Sequence, residues 1–386
     1  MATRLKPLRD QCIVITGASS GIGLATAQLA VQKGAAVVLV ARNRDALQKI
    51  TEEINGTGGR AACLTADIAD EGAPGRIADV AERHFGGFDT WVNNAAVALF
   101  ARLGDTTLDE HRQVFNVGYF GLVNASLFAA RALKTRGGGA IVNVGSILSD
   151  RSVPIQGAYS AMKHAVQGFT EALRMELEME GAPVSVTLVK PTGVHTPYPE
   201  HARTKLNEPA AIPPIAYDPR LVAEAILFAA AHPRRTMMVG GQGIALTKLA
   251  GLFPRTTDRI MEIFFREPAQ TIGQRPPRGV NDNLFHARKD GRVESEHEQY
   301  VRRGSITLRA QMHPLATAAV LGGAAMAVVG LFLGRKAVSR RRSDAVLESI
   351  SHLSDNALAN GGEEPLVVRK DPASTPASGA SPVALS

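Results

Sequence analysis

The sequence predicts an α/β fold in which helices cover both faces of a parallel β-sheet, an arrangement called doubly wound. Short apolar, β-branched segments alternate with segments of helical periodicity between residues 11 and 240. A glycine-rich turn follows the first of these segments, and polar residues follow several others, where parallel strands end. The chain has 386 residues, 45% of them hydrophobic, which is enough for one large core and an extension.

The first predicted strand and helix are joined by residues 16–23, TGASSGIG. Residues 11–15 are apolar and β-branched, and residues 24–33 have a helical pattern. Glycine lets the backbone approach a pyrophosphate closely, and the helix N-terminus offers unpaired N–H donors. The turn is therefore predicted to bind phosphate.

The end of the second predicted strand is expected to select the cofactor. Residues 35–41, AAVVLVA, read as a buried strand, and Arg42 and Arg44 precede the first carboxylate, Asp45. A carboxylate at this position would accept hydrogen bonds from a ribose 2′-hydroxyl, whereas a cation accommodates a 2′-phosphate. Arg42 therefore favours NADP(H) over NAD(H). The alternative is that Arg42 is a solvated loop charge.

Polar residues also follow the later strands. Further strands are predicted at residues 61–66, 88–92, 140–144, 184–189 and 237–240. The polar and turn residues that follow them are Asp67, Asn93, Asn94, Ser146, Pro191 and Thr196. Because ligands bind at the carboxyl edge of a parallel sheet, we expect these residues to share one site with the glycine turn. By itself, the pair of asparagines also fits an ordinary Asx turn.

Tyr159 and Lys163 are four positions apart and are expected on one face of a helix. A cation beside a tyrosine favours the phenolate and lowers its pKa from about 10, so Tyr159 is a candidate to exchange a proton with an alcohol or carbonyl. Residues 109–131 have helical periodicity and carry Asn116 between apolar neighbours. A buried asparagine needs hydrogen-bond partners, so Asn116 is either a structural polar residue or the holder of an ordered water.

With these motifs in order, residues 8–245 resemble the classical short-chain dehydrogenase/reductase family. The resemblance rests on the turn at 16–23, NNAA at 93–96, Asn116, Ser146, the Tyr159/Lys163 pair and PTG at 191–193. It implies a Rossmann-type sheet of about seven strands, a nicotinamide cofactor, and hydride transfer to or from a carbonyl or alcohol carbon. Ala96 replaces the usual glycine, and Thr192 interrupts the usual Pro-Gly pair.

By this resemblance, Tyr159 would be the general acid in reduction and the general base in oxidation, and Ser146 would orient the substrate oxygen. Lys163 would bind the nicotinamide ribose and lower the pKa of Tyr159, while Asn116 would hold a proton-relay water. The residues that would bind the cofactor are Gly17, Ser19, Ser20, Gly21, Ile22, Gly23, Arg42, Asp67, Asn94, Tyr159, Lys163, Pro191 and Thr196. The expected partners are a small carbonyl or alcohol substrate and further copies of the chain in a homo-oligomer.

The C-terminal part departs from this pattern. The resemblance implies that the proline-rich residues 197–219 form the substrate lid, within a dehydrogenase domain that spans residues 1–265. Residues 266–314 read as a linker or arm. An uncharged stretch predicts a single transmembrane helix at 315–334, with a basic and then disordered tail at 335–386. The alternative for this stretch is a buried or peripheral helix rich in alanine and glycine. The N-terminus has no export signal, so the catalytic domain is expected on the cytoplasmic side.

Composition excludes other classes. The net charge of +7 is not accompanied by zinc-finger spacing or an aromatic-basic run, so no nucleic-acid partner is expected. Cys12 and Cys63 lie in strand-like segments and read as buried thiols, with no metal site expected.

The leading hypothesis is a membrane-associated, NADP-dependent oxidoreductase acting on a carbonyl or secondary alcohol, with an apolar substrate suggested by the anchor. One alternative is a cofactor-binding scaffold without turnover, against which the complete set of Ser146, Tyr159 and Lys163 argues. Another is an NAD-dependent dehydrogenase of the same fold. A related epimerase or dehydratase is disfavoured by the glycine spacing at 16–23.

Overall fold

The computed structural model describes residues 4–213, 215–272, 282–288 and 291–359. Its main sheet has seven parallel strands. They are β1 (Cys12–Thr16), β2 (Ala36–Ala41), β3 (Arg60–Thr65), β4 (Thr90–Asn93), β5 (Gly139–Val144), β6 (Val184–Pro191) and β7 (Thr236–Val239). Their order across the sheet is β7-β6-β5-β4-β1-β2-β3. The strand order reverses beside β1, which places a crevice at the carboxyl edge of the sheet between β1 and β4.

Helices alternate with these strands. They are α1 (Gly21–Gln32), α2 (Arg44–Gly56), α3 (Ala73–Phe85), α4 (Leu108–Phe115), α5 (Gly121–Thr135), α6 (Gly157–Met179), α7 (Tyr198–His201), α8 (Pro219–Ala231), α9 (Gly241–Leu252), α10 (Pro254–Phe264), α11 (Ile306–Met312) and α12 (Pro314–Ala359). A π-helical turn, Asn116–Phe120, joins α4 to α5. The doubly wound sheet expected from the sequence is confirmed.

Successive residues of each central strand enter two different cores. In β1, Ile13 and Ile15 pack with α1 and α8, whereas Val14 between them packs with α3 and α5 on the opposite face. All three side chains are fully buried. A strand that is covered on both faces needs apolar residues at every position, which explains the uninterrupted apolar segments in the sequence.

Residues 266–314 are more than a linker in the parts that the structure describes. Val301–Arg302 pairs in parallel with Ala216–Tyr217. The α11 helix packs against α8 and β7 and buries Leu308 in the core. This segment therefore belongs to the same compact unit as the sheet, which extends to Pro314.

Residues from Leu315 onward form a second unit. Helix α12 continues to Ala359, well into the predicted tail, and residues 360–386 lie outside the described part of the chain. Among the described helices, none combines the length and apolar character needed to cross a membrane. The predicted span at 315–334 therefore has no structural support.

Candidate active site

A cavity of about 540 Å³ lies at the carboxyl edge of the sheet, lined by residues directly after β1 to β6. Most of the predicted site residues line this one cavity. They are Gly17, Ser19, Ser20, Gly21, Ile22, Arg42, Asp67, Asn94, Ser146, Tyr159, Lys163, Pro191 and Thr196. Of the predicted residues, Gly23, Asn93 and Asn116 are not part of its wall. Strand order therefore brings together residues that are up to 179 positions apart.

The glycine turn is held tightly between β1 and α1. Gly17 has a φ of +67°, and a Cβ there would lie 2.9 Å from the Ala95 Cα. A Cβ on Gly23 would lie 2.1 Å from the Gly17 carbonyl oxygen, so Gly23 serves the packing of the helix on the turn. Larger residues at either position would displace the turn, because close approaches at both positions, and the left-handed conformation at Gly17, require glycine.

The two asparagines after β4 have different surroundings. The Asn94 amide donates to the carbonyls of Thr16 and Gly17, at 3.0 and 3.2 Å, and so holds the glycine turn in place. The Asn93 amide instead enters a buried network and donates to Ser126 Oγ and Asn143 Oδ1, both at 2.9 Å. Asn94 is therefore a positioning residue at the cavity wall, and Asn93 belongs to the core.

Ser146, Tyr159 and Lys163 meet on one side of the cavity. Ser146 follows β5, and its Oγ accepts a hydrogen bond from the Leu148 N–H at 3.1 Å. Tyr159 and Lys163 lie in the first two turns of α6, with the Lys163 Nζ 5.5 Å from the centroid of the Tyr159 ring. Lys163 is only 3% exposed, and its Nζ donates to the Val144 carbonyl at 2.7 Å. The Tyr159 phenol thus has a hydroxyl on one side and an amine on the other.

Burial controls the titration of this pair. It raises the pKa of Tyr159 from 10.0 to about 12, against the opposing effect of the neighbouring Tyr198 and Ser146 hydroxyls. It also lowers the pKa of Lys163 from 10.5 to about 8. The predicted lowering of the Tyr159 pKa is therefore not found in the structure, because desolvation of the phenolate is the dominant effect and the opposing effects come from hydroxyl groups, not from Lys163.

The Lys163 pKa predicts how stability depends on pH. Between about 8 and 10.5 the unfolded chain binds more protons at this site than the folded protein does, so the free energy of unfolding rises with pH in that window. Lys163 alone contributes a rise of up to about 3 kcal/mol in the cofactor-free protein, and Cys12, whose pKa burial raises from 9.0 to about 12, opposes it above pH 9. Urea unfolding at both ends of the window measures it. Lys163→Met should lack this contribution, and equal pH dependence in both proteins would contradict the burial of the amine.

Arg42 and Asp67 lie at the opposite end of the cavity, after β2 and β3. The Arg42 Nη1 is 3.8 Å from Asp67 Oδ2 and is buried without a hydrogen-bond partner. The Nη2 donates to the Asn283 carbonyl at 2.5 Å. Arg42 is therefore a cation held in the cavity wall, rather than a charge in open solvent.

The prediction for Asn116 is wrong in one respect. Its side chain is exposed, and Asn116 is the first residue of the π-helical turn, not part of a continuous α-helix. A π turn changes the angular position of the residues along it, so apolar neighbours in the sequence did not imply burial. The structure does not bring Asn116 to the cavity lined by Ser146, Tyr159 and Lys163.

Two groups of cavity residues were not predicted. Tyr198, in α7, places its ring centroid 5.6 Å from that of Tyr159. Asn283, Ala287 and Arg288 come from the segment that was read as a linker. The position of Tyr198 in the proline-rich lid segment was a signal that could have identified it, whereas the other three had none.

Comparison with known proteins agrees with this geometry. Residues 11–207 match the family model described as short chain dehydrogenase. The chain belongs to the short-chain dehydrogenase/reductase family. It is an NAD(P)-dependent oxidoreductase, as expected from the resemblance of its motifs.

One relative of this dehydrogenase is similar to it over most of the chain. The chain is 44% identical over 322 residues to the uncharacterized oxidoreductase YxnA of Bacillus subtilis, which covers 83% of this chain and 90% of that protein. It is 36% identical over 193 residues to dehydrogenase/reductase SDR family member 7B of Mus musculus, covering 49% of this chain and 59% of the mouse protein. A crystal structure of a short chain dehydrogenase/reductase from Burkholderia phymatum in complex with NAD has the same fold. The TM-score is 0.59 at 24% identity, over 70% of this chain and 100% of that one.

The residues of this dehydrogenase fit a nicotinamide dinucleotide. The glycine turn leaves no room for a Cβ at Gly17, and the start of α1 faces the cavity through Gly21 and Ile22. At the far end, Arg42 has a buried, unpartnered Nη1 that an anionic group would satisfy. The same cavity continues to Ser146 and Tyr159.

Proposed function

We propose that the chain is an NADP-dependent oxidoreductase that interconverts an apolar carbonyl compound and the corresponding secondary alcohol. One observation carries this proposal. A single cavity has the cation Arg42 at one end and the group Ser146, Tyr159 and Lys163 at the other, with the glycine turn between them. A dinucleotide-dependent reaction at a carbonyl requires a phosphate-binding turn and a proton donor in the same cavity.

The side chains have separate tasks in the reaction. When bound, the nicotinamide cofactor supplies or accepts the hydride. The raised pKa of Tyr159 keeps its phenol protonated at neutral pH, so in reduction it donates a proton to the carbonyl oxygen. Ser146 accepts from the Leu148 N–H and keeps its own O–H to donate to the same oxygen. The Lys163 ammonium, fixed by the Val144 carbonyl, stabilises the phenolate that remains.

The wall near Tyr159 indicates an apolar substrate. A cluster of apolar residues from the loop after β5, from α9 and from α10 packs around the Tyr159 ring. Its members that line the cavity are Ile147, Leu148, Val153, Leu246, Ile260, Met261 and Phe265. A pocket with this lining gains affinity by burying hydrocarbon surface, while the Ser146 and Tyr159 hydroxyls fix the reacting oxygen.

The cofactor preference rests on Arg42. Its unpartnered Nη1 would be satisfied by the 2′-phosphate of NADP(H), which NAD(H) lacks. NAD(H) is the second candidate, favoured by the 3.8 Å approach of the Asp67 carboxylate to the same guanidinium. That approach reduces the net positive charge at the ribose end of the cavity.

The test is a screen of apolar ketones and secondary alcohols with the full chain. Turnover is measured by the change in absorbance of the reduced nicotinamide. We expect turnover with NADP(H) at a higher kcat/KM than with NAD(H), and loss of turnover in Ser146→Ala. If the chain binds NADPH but oxidises it with none of the carbonyl compounds, the oxidoreductase proposal fails, and the cofactor-binding scaffold replaces it.

A further inference from the structure

A segment beyond residue 265, the predicted end of the domain, crosses the cavity at the end where Arg42 and Asp67 lie. We call this the ribose end of the cavity. We call residues 282–288 and 291–297 the arm. The Asn43 side chain donates to the Arg288 carbonyl at 2.5 Å. The Gly21 N–H donates to the Arg292 carbonyl, and the Gly291 N–H donates to the Ser19 carbonyl, both at 2.9 Å. The arm therefore bonds directly to the glycine turn and to the loop after β2, the two loops that surround the ribose and phosphate positions.

The other side of the arm is attached to α7. The Glu200 carboxylate accepts from Arg292 Nη2 at 2.8 Å, from Ser295 Oγ at 2.5 Å and from the Glu296 N–H at 2.9 Å. The Asn283 N–H donates to the His201 carbonyl at 2.8 Å. Glu200 has a side chain that is only 22% exposed, so it is a partly buried anchor for the arm. Three donors on one carboxylate make this the strongest attachment of the arm to the lid segment.

Leu284 fixes the position of the arm along the cavity. Its side chain is fully buried in the core cluster that also contains Val117 and Met162. Gln113 Nε2 donates to the Leu284 carbonyl at 2.9 Å, and Arg203 pairs with Asp282 at 2.8 Å. The residue before Leu284, Asn283, is thereby held against Arg42.

Asn283 has two polar groups at the ribose end. Its carbonyl accepts from the Arg42 Nη2, which fixes the plane of the guanidinium. Asn283 is one of the residues that line the cavity, and its Oδ1 is buried without a hydrogen-bond partner. The Arg42 Nη1 lacks a partner in the same way. Amide oxygen and nitrogen exchange places by a simple flip, so the Asn283 side chain is able to donate to an anion.

We propose that the arm is part of the dinucleotide site. Asn283 orients Arg42 through its carbonyl and binds the 2′-phosphate of the adenosine ribose through its amide, and Glu200 keeps the arm closed over the bound cofactor. This inference rests on the proposed preference for NADP(H), and it adds a specificity residue from outside the segment that matches the family model.

The Asn283 part is tested by calorimetry of the full chain with three probes: NADP⁺, NAD⁺ and adenosine 2′,5′-bisphosphate. Asn283→Ala should weaken the binding of NADP⁺ and of the bisphosphate about tenfold, which is the effect of losing one hydrogen bond to a charged group. The affinity for NAD⁺ should stay within about twofold of the wild-type value. His286→Ala is the matched control, because His286 is exposed in the same arm and does not line the cavity. Equal affinities in the two variants would overturn the role of Asn283.

The Glu200 part is tested by the dissociation rates of NADPH and NADH, followed by nicotinamide fluorescence in stopped flow. Glu200→Gln removes the charge that holds Arg292 and should raise both rates about tenfold. Unchanged rates, or tighter binding in this variant, would overturn the closing role of the arm. Tighter binding would show that the arm competes with the cofactor for the groove.

The two proposals fail in different ways. A wild-type chain that binds NAD⁺ more tightly than NADP⁺ refutes the proposed cofactor preference and, with it, the 2′-phosphate role of Asn283. The NADH dissociation rate of Glu200→Gln still decides whether the arm closes the site. If Glu200→Gln does not fold, Asn283→Ala decides whether the arm contributes to binding.

Discussion

Tyr159→Phe is expected to lower kcat by about 10³-fold, while the affinity for NADPH changes little. The change removes one oxygen atom, which is the proposed proton donor to the carbonyl, and positioned acid catalysis is worth about 10² to 10⁴ in rate. The aromatic ring and its packing with Tyr198 and the apolar cluster remain. Steady-state kinetics with the substrate found by screening measures kcat, and calorimetry measures NADPH binding.

Tyr300→Phe is the matched control for this variant. Tyr300 is 73% exposed and does not line the cavity, so the same chemical change there should leave kcat unaltered. If Tyr159→Phe keeps more than about a tenth of the wild-type kcat, the proton donor has been assigned to the wrong residue.

Arg42→Asp is expected to weaken NADP⁺ binding by about 100-fold and to leave NAD⁺ binding nearly unchanged or improved. The variant loses a charge-assisted bond to the 2′-phosphate and adds a carboxylate beside Asp67, which repels that phosphate. A carboxylate at the end of this strand also suits a ribose 2′-hydroxyl. The measurement is the ratio of the two dissociation constants by calorimetry.

Arg44→Asp controls for the change in net charge. Arg44 is exposed at the start of α2 and lies outside the cavity wall. The same substitution there should change the ratio of the two dissociation constants only slightly, because solvent and salt screen an exposed charge from the cofactor site. An unchanged ratio in Arg42→Asp would remove Arg42 from cofactor selection and leave NAD(H) as the better candidate.

The sheet was predictable because burial on both faces leaves a direct trace in the sequence. Residues 35–41 are apolar throughout, and β2 covers all but the first of them. The predicted ends of the strands were less accurate than the predicted number of strands. The predicted fourth strand begins at Phe88, whereas β4 begins at Thr90. Phe88 resembles a strand residue in the sequence because it is buried in the core, where its ring packs edge to face on that of Trp91, with the ring centroids 5.2 Å apart.

The candidate site was predictable where it is formed by side chains or by glycines of a recognisable motif. The motif residues of the glycine turn and those that follow the strands line one cavity, because parallel strands end at one edge. The arm was not predictable, because the carbonyls of Asn283, Arg288 and Arg292 make its contacts with the cofactor loops. Every residue has a carbonyl, so no side-chain pattern marks those that bind.

The titration of Tyr159 and Lys163 could not be predicted from their spacing. The i, i+4 positions of Tyr159 and Lys163 were sufficient to predict a shared helix face, and the 5.5 Å separation of amine and ring agrees with that. The direction of the Tyr159 pKa depends on how many apolar groups surround it, and these come from α9, α10 and the loop after β5. These distant segments change the prediction from a phenol that ionises near working pH to one that stays protonated there.

The central claim is that this chain transfers a hydride between nicotinamide and a carbonyl carbon. Its most direct test is the reduction of a carbonyl substrate by the full chain with NADPH that carries deuterium at the transferred position of the nicotinamide ring, with mass spectrometry of the alcohol. We expect one deuterium per product molecule, bound to the carbon that carries the new hydroxyl. An alcohol product without deuterium would contradict the account.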